Sequence, residues 1–182
     1  MRIISGRHRG LALASLGKGD AGAHLRPTSD RVRESLFNIL MSYGLPAGAR
    51  VLDLFAGTGA LGLEALSRGA VHVHYVDNGR KALALIRENL AKAGREDDAS
   101  VLTCDATRLP PATAACDLIF LDPPYGKALG EKALACALAQ GWIADDALII
   151  WEESAAITPP TGWQVSDARR FGDTTISLLQ CG

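Results

Sequence analysis

Residues 51–62, Val51-Leu52-Asp53-Leu54-Phe55-Ala56-Gly57-Thr58-Gly59-Ala60-Leu61-Gly62, decide the fold of this chain. A short apolar run leads into three glycines with the spacing Gly-x-Gly-x-x-Gly, and an apolar helical pattern over residues 60–68 follows. Glycines at such a junction let the backbone turn sharply and approach a ligand closely. The stretch therefore predicts a buried strand, a tight loop and a helix, the opening half of a β-α-β unit.

Outward from this stretch, strand and helix patterns alternate. Further strands are predicted at 71–76, 101–104, 117–121 and 148–151, and further helices at 79–93 and 130–139. This alternation predicts an α/β fold with a doubly wound, mostly parallel sheet and helices on both faces. Two more strands, 164–170 and 174–179, flank a turn that contains glycine, so we expect a C-terminal antiparallel hairpin that completes seven strands.

The N-terminal residues follow a different pattern. Short apolar pieces at 2–5 and 11–16 lie between glycines, which predicts a small β-hairpin and then a glycine-rich loop. Thr28 or Ser29 can cap a helix that continues to about Tyr43. We therefore divide the chain into a basic N-terminal extension, residues 1–27, and a main domain, residues 28–182.

The charge is distributed unevenly, although the net charge is only −1. Residues 1–33 contain seven Lys or Arg and two Asp, and the remainder of the chain is acidic. A basic segment attached to an acidic body favours contact with a polyanion such as RNA, to which Arg7 and Arg9 would contribute. A solvated N-terminal face is the alternative.

Composition limits the domain number, the metal content and the location that we expect for this chain. The 182 residues are 48 % hydrophobic, which fits one globular domain. The four cysteines and four histidines form no ligand pattern, so we expect reduced thiols and no metal site. No apolar run reaches the roughly 20 residues that cross a bilayer, and residues 1–6 lack a secretory signal. We therefore expect a cytoplasmic protein with no membrane partner.

The residues that follow the predicted strand 117–121 form an unusual sequence. Asp122-Pro123-Pro124-Tyr125 follows the apolar run 117–121, and two prolines cannot continue a central strand because each lacks an N–H. A carboxylate, free backbone carbonyls and an aromatic ring are thereby brought together. These groups suit a flat substrate that carries an amine, whereas the alternative is a proline-rich turn.

Acidic residues follow the other strands at the same edge of the sheet. Asp77 lies twenty residues after Gly57, where a carboxylate can accept hydrogen bonds from both ribose hydroxyls. Asp105 can accept one from an adenine amine, although a solvated turn explains it equally well. The glycines also match the dinucleotide fingerprint, so an NAD-dependent enzyme is a second candidate. Asp53, beneath the loop, would repel a pyrophosphate and suits the cationic S-adenosylmethionine better.

Together these residues resemble the Rossmann-like, class I S-adenosylmethionine-dependent methyltransferases that modify exocyclic amines. More closely they resemble the RsmD family, the 16S rRNA guanine(966)-N2-methyltransferases of bacteria. The segments that carry this resemblance are 1–6, 25–34, 37–38, 52–70 and 120–125. Asp77 stands where a longer Glu is expected, and the C-terminal third has no distinctive motif.

The resemblance implies S-adenosylmethionine as cofactor and 16S rRNA, in the small ribosomal subunit or its assembly intermediate, as partner. We expect a monomer, although the residues themselves leave the oligomeric state open. Asp122, Pro123 and Tyr125 would hold the target amine. The cofactor would be bound by Asp53, Phe55, Gly57, Gly59, Asp77, Asp105, Ala106 and Asp122. The RNA would be contacted by Arg7, Arg9, Arg26, Thr28 and Tyr125.

Other substrates and roles are left open by these residues. An amine on a protein glutamine or on a nucleic-acid adenine would suit Asp122–Tyr125 equally. A catalytically silent RNA-binding module is a further alternative, against which the intact Asp122 and Tyr125 argue. The residues alone do not identify the target nucleotide or distinguish naked RNA from an assembled particle.

Overall fold

The computed structural model of the chain describes residues 1–16 and 28–182. The glycine-rich loop and Arg26, for which the sequence makes predictions, lie outside these residues. The helices within them are α1 (Asp30–Ser42), α2 (Ala60–Ser67), α3 (Arg80–Ala93) and α4 (Leu129–Ala139), with a 3-10 turn at Glu96–Asp98. The strands are β1 (Arg50–Leu54), β2 (His72–Asp77), β3 (Ala99–Thr103), β4 (Cys116–Leu121), β5 (Ile143–Glu153), β6 (Trp163–Phe171) and β7 (Thr174–Cys181).

The seven strands form one sheet in the order β3-β2-β1-β4-β5-β7-β6. Strands β1 to β5 are parallel, and β7 pairs antiparallel with both β5 and β6. The predicted sheet with its C-terminal hairpin is confirmed. Strand order reverses between β1 and β4, so the connections after these strands leave in opposite directions and open a crevice at their carboxyl ends.

Two hydrophobic clusters cover the two faces of the sheet. Helices α1, α2 and α3 pack on one face, where Phe37 meets Phe120 of β4 with ring centroids 5.8 Å apart. Helix α4 packs on the other face through Ala133, Leu134 and Ala137. The central strands β1, β2 and β4 are buried on both sides, which explains their continuous apolar runs, whereas the edge strands β3 and β6 are more exposed.

Helix boundaries follow the local signals in the sequence. Ser29 caps α1 by accepting a hydrogen bond from the Val32 N–H at 3.3 Å, and Gly44 follows the helix with φ +72°. Gly94 ends α3 in the left-handed conformation. Side-chain caps and glycine C-caps satisfy the backbone groups that a helix end leaves unpaired, so these boundaries are encoded locally.

Residues 1–16, which we call the N-terminal segment, fold back as a hairpin-like turn with one β-bridge, Arg2 to Ala12. Ile3 and Leu13 are buried in the same cluster as α1–α3. The buried carboxylate of Glu64 in α2 accepts hydrogen bonds from the N–H groups of Ile4 at 2.8 Å and Ser5 at 3.0 Å. The N-terminal segment is therefore fixed to α2 by both apolar and polar contacts.

Within residues 1–16 and 28–182, no helix is long and apolar enough to cross a bilayer.

Candidate active site

A cavity of about 600 Å³ opens at the carboxyl ends of β1, β2 and β4. This volume lies within the usual range for sites that bind small molecules. The side of the cavity near β1 and β2 carries the glycine-containing loop, and the side near β4 carries the proline-containing loop. The polar and glycine residues of its lining are Thr28, Asp53, Gly57, Thr58, Asp77, Asn78, Gly79, Lys81, Asp122, Tyr125 and Lys127.

The loop between β1 and α2, residues 55–59, which we call the cofactor loop, has an unusual backbone. Gly57 and Gly59 have φ values of +57° and +76°, which side chains on L-residues disfavour. Phe55 also has a positive φ, +60°, and lines the cavity. At Gly62, one turn into α2, an added Cβ would lie 2.4 Å from the Tyr75 ring. The glycine spacing is thus explained by turn geometry at two positions and by close packing at the third.

Asp53 lies beneath the cofactor loop and is only 2 % exposed. Its Oδ2 accepts a hydrogen bond from the Gly62 N–H at 3.1 Å. Burial raises the pKa of Asp53 to about 8, and the nearby Asp77 charge adds to this rise, whereas the Gly62 hydrogen bond opposes it. A buried carboxyl of this kind is stabilised in its charged form by a cationic ligand.

Asp77 ends β2 and organises two turns. Its Oδ2 accepts a hydrogen bond from the Gly57 N–H at 3.0 Å, and its Oδ1 accepts one from the Gly79 N–H at 2.7 Å. Each carboxylate oxygen has a second lone pair, so Asp77 can still accept hydrogen bonds from a ligand in the cavity. The side chain therefore shapes the cofactor loop and also lines the cavity beside it.

Asp122, Pro123 and Tyr125 lie across the cavity from this loop. The Asp122 N–H points to the Leu54 carbonyl of β1 at 3.5 Å, so the ends of β1 and β4 lie side by side. Burial raises the pKa of Asp122 well above its ordinary value, and the charges of Glu152, Asp53 and Glu153 raise it further. A carboxylate with a raised pKa is a stronger proton acceptor, which suits a group that receives the hydrogens of an amine.

Glu152 is a site residue that the sequence analysis missed. It accepts hydrogen bonds from the Tyr125 hydroxyl at 3.0 Å and from the Thr28 hydroxyl at 3.2 Å, and Tyr125 also contacts the Thr174 hydroxyl at 2.9 Å. Since Leu121 pairs with Trp151, Asp122 and Glu152 are the next residues on neighbouring strands. The only signal for Glu152 in the sequence was an acidic residue directly after the predicted strand 148–151.

The predicted site residues divide into those that line the cavity and those that lie elsewhere. Asp53, Phe55, Gly57, Asp77, Asp122, Pro123, Tyr125 and Thr28 line the cavity, whereas Gly59, Asp105 and Ala106 do not. Asp105 is exposed and accepts two hydrogen bonds from Thr107 at 2.8 Å, and Ala106 is buried in the cluster that packs under α4. Arg7 and Arg9 are exposed on the N-terminal segment.

The sequence of this chain is similar to those of several known proteins. The family described as Conserved hypothetical protein 95 matches residues 1–180. The protein named Ribosomal RNA small subunit methyltransferase D of Escherichia coli (strain K12) is 37 % identical over 186 residues, which cover 99 % of this chain and 89 % of that protein. The protein of the same name from Haemophilus influenzae is 33 % identical over 99 % of this chain and 93 % of its own length.

Among solved structures, the Escherichia coli protein yhhF aligns with a TM-score of 0.85 and 36 % identity, covering 100 % of this chain and 97 % of that chain. The chain therefore has the class I methyltransferase fold and belongs to the family described as Conserved hypothetical protein 95, the RsmD family that its motifs resemble.

Proposed function

We propose that this protein is an S-adenosylmethionine-dependent methyltransferase that modifies the exocyclic N2 amine of guanine 966 in 16S rRNA. The observation that supports this most is that Gly57 and Asp122–Tyr125 line one cavity. A methyl donor bound at the cofactor loop and an amine bound at Asp122–Tyr125 would share that space. The names of the Escherichia coli and Haemophilus influenzae relatives support ribosomal RNA as the substrate.

The cavity residues fit S-adenosylmethionine better than a dinucleotide. Asp53 and Asp77 supply carboxyl groups to the end of the cavity where the cofactor loop lies. A buried acid whose pKa is raised to about 8 favours a ligand that carries positive charge, and it disfavours the pyrophosphate of NAD. S-adenosylmethionine would supply the methyl group to this site.

The residues at the end of β4 would orient the acceptor. Asp122 and the carbonyl of Pro123 would accept the two amine hydrogens, which draws the nitrogen lone pair out of conjugation with the ring. Asp122 would then stabilise the positive charge that develops on the nitrogen and take up the released proton. Tyr125 would stack on the base, a contact worth roughly 1–3 kcal/mol.

Glu152 supports the placement of the acceptor from behind the cavity lining. Its carboxylate accepts hydrogen bonds from the hydroxyls of Tyr125 at 3.0 Å and Thr28 at 3.2 Å, and both of these residues line the cavity. Glu152 would therefore hold Tyr125 in the orientation that stacks on the base.

The N-terminal segment supports an RNA partner. Arg7 and Arg9 are exposed, and burial lowers the pKa of His8 between them, to which the charges of Arg95 and Arg7 add. This surface has the positive potential that attracts phosphate groups. We propose that a monomer in the cytoplasm acts on the small subunit or its assembly intermediate. Methylation of a protein glutamine or of an adenine is the alternative.

The test is methyl transfer from tritiated S-adenosylmethionine to small ribosomal subunits that lack the modification, followed by nucleoside analysis. We expect labelled N2-methylguanosine with the wild type. Asp122→Ala and the isosteric Asp122→Asn should each lower the transfer rate by at least about a hundredfold, because the proton acceptor is lost. Both should still bind S-adenosylmethionine in calorimetry, with a loss of affinity far smaller than the loss of transfer rate. Labelled adenosine or labelled ribosomal protein would instead support the alternative.

A further inference from the structure

Asn89 in α3 is a buried polar residue that the proposed chemistry does not use. It is fully buried, and its side-chain amide makes three hydrogen bonds. Its Oδ1 accepts from the Ala14 N–H at 2.6 Å, and its Nδ2 donates to the Ala14 carbonyl at 3.1 Å and to the Thr58 carbonyl at 3.0 Å. One side chain thus connects the N-terminal segment to the cofactor loop.

The contact with Thr58 fixes the orientation of a peptide group whose neighbouring glycines permit other orientations. Gly57 and Gly59 flank Thr58, and glycine permits backbone rotations that other residues resist. The Thr58 carbonyl is directed toward Asn89, while the N–H of the same peptide group, on Gly59, donates to the Ala56 carbonyl at 2.8 Å. Asn89 therefore selects one orientation of the Thr58–Gly59 peptide group.

The contacts with Ala14 make this arrangement depend on the N-terminal segment. Without Asn89, the N–H and carbonyl of Ala14 and the carbonyl of Thr58 would each lose a partner, and leaving buried polar groups unpaired is costly. Conversely, the Ala14 N–H holds the Asn89 amide in the rotamer that reaches Thr58. The same segment carries Arg7 and Arg9.

We infer that Asn89 is a positioning residue that holds the cofactor loop in its binding conformation, and that it makes the N-terminal segment part of the cofactor site. This inference rests on the proposed function, because the ligand of the cofactor loop is taken to be S-adenosylmethionine. A loop that is already held in its bound conformation binds with less loss of conformational entropy. Loosening it should therefore weaken cofactor affinity even though Asn89 does not line the cavity.

The experiment compares Asn89→Ala with Ser67→Ala in the full-length protein. Ser67 also holds the N-terminal segment, since its hydroxyl donates to the Ser5 carbonyl at 2.6 Å and accepts from the His8 N–H at 3.0 Å. Ser67 is at the far end of α2 from the cofactor loop. Ser67→Ala therefore removes contacts to residues 5–8 of the segment and leaves the contacts of Asn89 with Ala14 and Thr58 in place. Binding of S-adenosylmethionine is measured by calorimetry, and thermal unfolding is measured for each variant without ligand.

We expect Asn89→Ala to raise the dissociation constant for S-adenosylmethionine on the order of tenfold and Ser67→Ala to change it less than about twofold, with a lower unfolding temperature in both. Asn89→Asp, which keeps the acceptor for Ala14 and removes both donors, is the second variant if Asn89→Ala does not fold. Equal affinity changes in the Asn89 and Ser67 variants would overturn the inference while leaving the proposed function intact. A wild-type protein that does not bind S-adenosylmethionine would overturn the proposed function itself.

Discussion

At the residue scale, the cavity contains acids whose environment opposes their ionisation. Asp53 is buried under the cofactor loop, and burial together with the Asp77 charge raises its pKa from the usual 3.8 to about 8. In the unfolded chain the same carboxyl would ionise near its usual value. The folded protein therefore binds this proton more tightly than the unfolded chain does, so Asp53 costs stability at neutral pH. A binding site built this way sacrifices stability for affinity toward a cation.

The substitution Asp53→Asn tests this conclusion. Asn keeps an oxygen that can accept the Gly62 hydrogen bond and removes the ionisable group. Because the folded pKa is raised, the wild type loses stability as the pH rises from 3.8 toward about 8. The stability advantage of the variant should grow over that window and then level off. Urea unfolding at pH 5 and pH 8 measures it, and an advantage that is the same at both pH values would contradict the assignment. S-adenosylmethionine affinity should fall in the same variant.

Residues with local sequence signals were predicted, whereas those whose partners are remote in sequence were not. Gly57 and Asp122 each follow an apolar run, and Asp53 interrupts the run just before Gly57, so their place near the carboxyl edge of the sheet follows from the sequence alone. The sequence alone predicts that Glu152 is solvated at the end of a strand. Only the pairing of β4 with β5 shows that it lies beside Asp122. Asn89 follows Arg87 and Glu88, and this polar run predicts an exposed helix face. Its burial depends on the N-terminal segment, 75 residues away along the chain.

At the element scale, helix α2 connects the two functional parts of the protein. Its N-terminal end follows the cofactor loop, and its C-terminal end holds the N-terminal segment through Glu64 and Ser67. Glu64 also pairs with the buried Arg33 of α1 at 3.8 Å and with Arg68 at 2.8 Å. Removing one partner from a buried ion pair leaves an uncompensated charge, so these contacts tie the segment to α1 and α2 as a unit.

Gly6 gives a direct test of this attachment, with Gly10 as its matched control. Both have positive φ values, +82° and +84°, so an added side chain is strained equally at either position. At Gly6 the new Cβ would lie 2.0 Å from the backbone oxygen of Ser67, whereas at Gly10 it meets nothing within 4 Å. Gly10→Ala should therefore cost about 1–2 kcal/mol, and Gly6→Ala clearly more. Thermal unfolding measures the difference, and equal losses would show that the close approach to α2 is unimportant.

Element boundaries differ from the prediction where tertiary pairing extends a strand. Most predicted helices and strands begin and end within two residues of the observed ones, because capping residues and apolar runs are local signals. Strand β5 was predicted at 148–151 and extends over Ile143–Glu153. The polar Asp145 and Asp146 interrupt its apolar pattern, and the register with β4 shifts between Cys116 and Leu118 at that point. Pairing with β4 and β7, rather than side-chain pattern, sets the length of this strand.

At the scale of the whole molecule, the uneven charge becomes a polarity of the surface. The N-terminal segment, with Arg7 and Arg9, docks on the face of the sheet that carries α1–α3. Helix α4 covers the opposite face. The exposed Arg7 and Arg9 thus lie on one side of a molecule whose net charge is only −1, which favours the approach of a polyanion from that side. Such polarity orients the protein during its approach to a polyanion.

The double substitution Arg7→Ala/Arg9→Ala tests this polarity. Each phosphate contact releases counterions, so the logarithm of the binding constant for 16S rRNA should fall less steeply with salt in the variant, by about one to two units of slope. Lys132→Ala, on exposed α4, is the control and should keep the wild-type slope. Filter binding from low to physiological salt measures both. An unchanged slope in the double variant would mean that these arginines contact no phosphate.

The position of β7 between β5 and β6 also determines where the protein can be attached to a surface through a cysteine. Strand β7 runs against β5, so Cys181 lies beside the first half of β5, at the sheet edge remote from the cavity. Of the four free cysteines, Cys181 is exposed, Cys104 and Cys136 are partly buried, and Cys116 is buried. Burial also raises the pKa of Cys116 to about 12 and raises that of Cys104. Maleimide chemistry at limiting reagent would therefore select Cys181. A biosensor chip loaded through this thiol would present the open cavity to the flowing RNA.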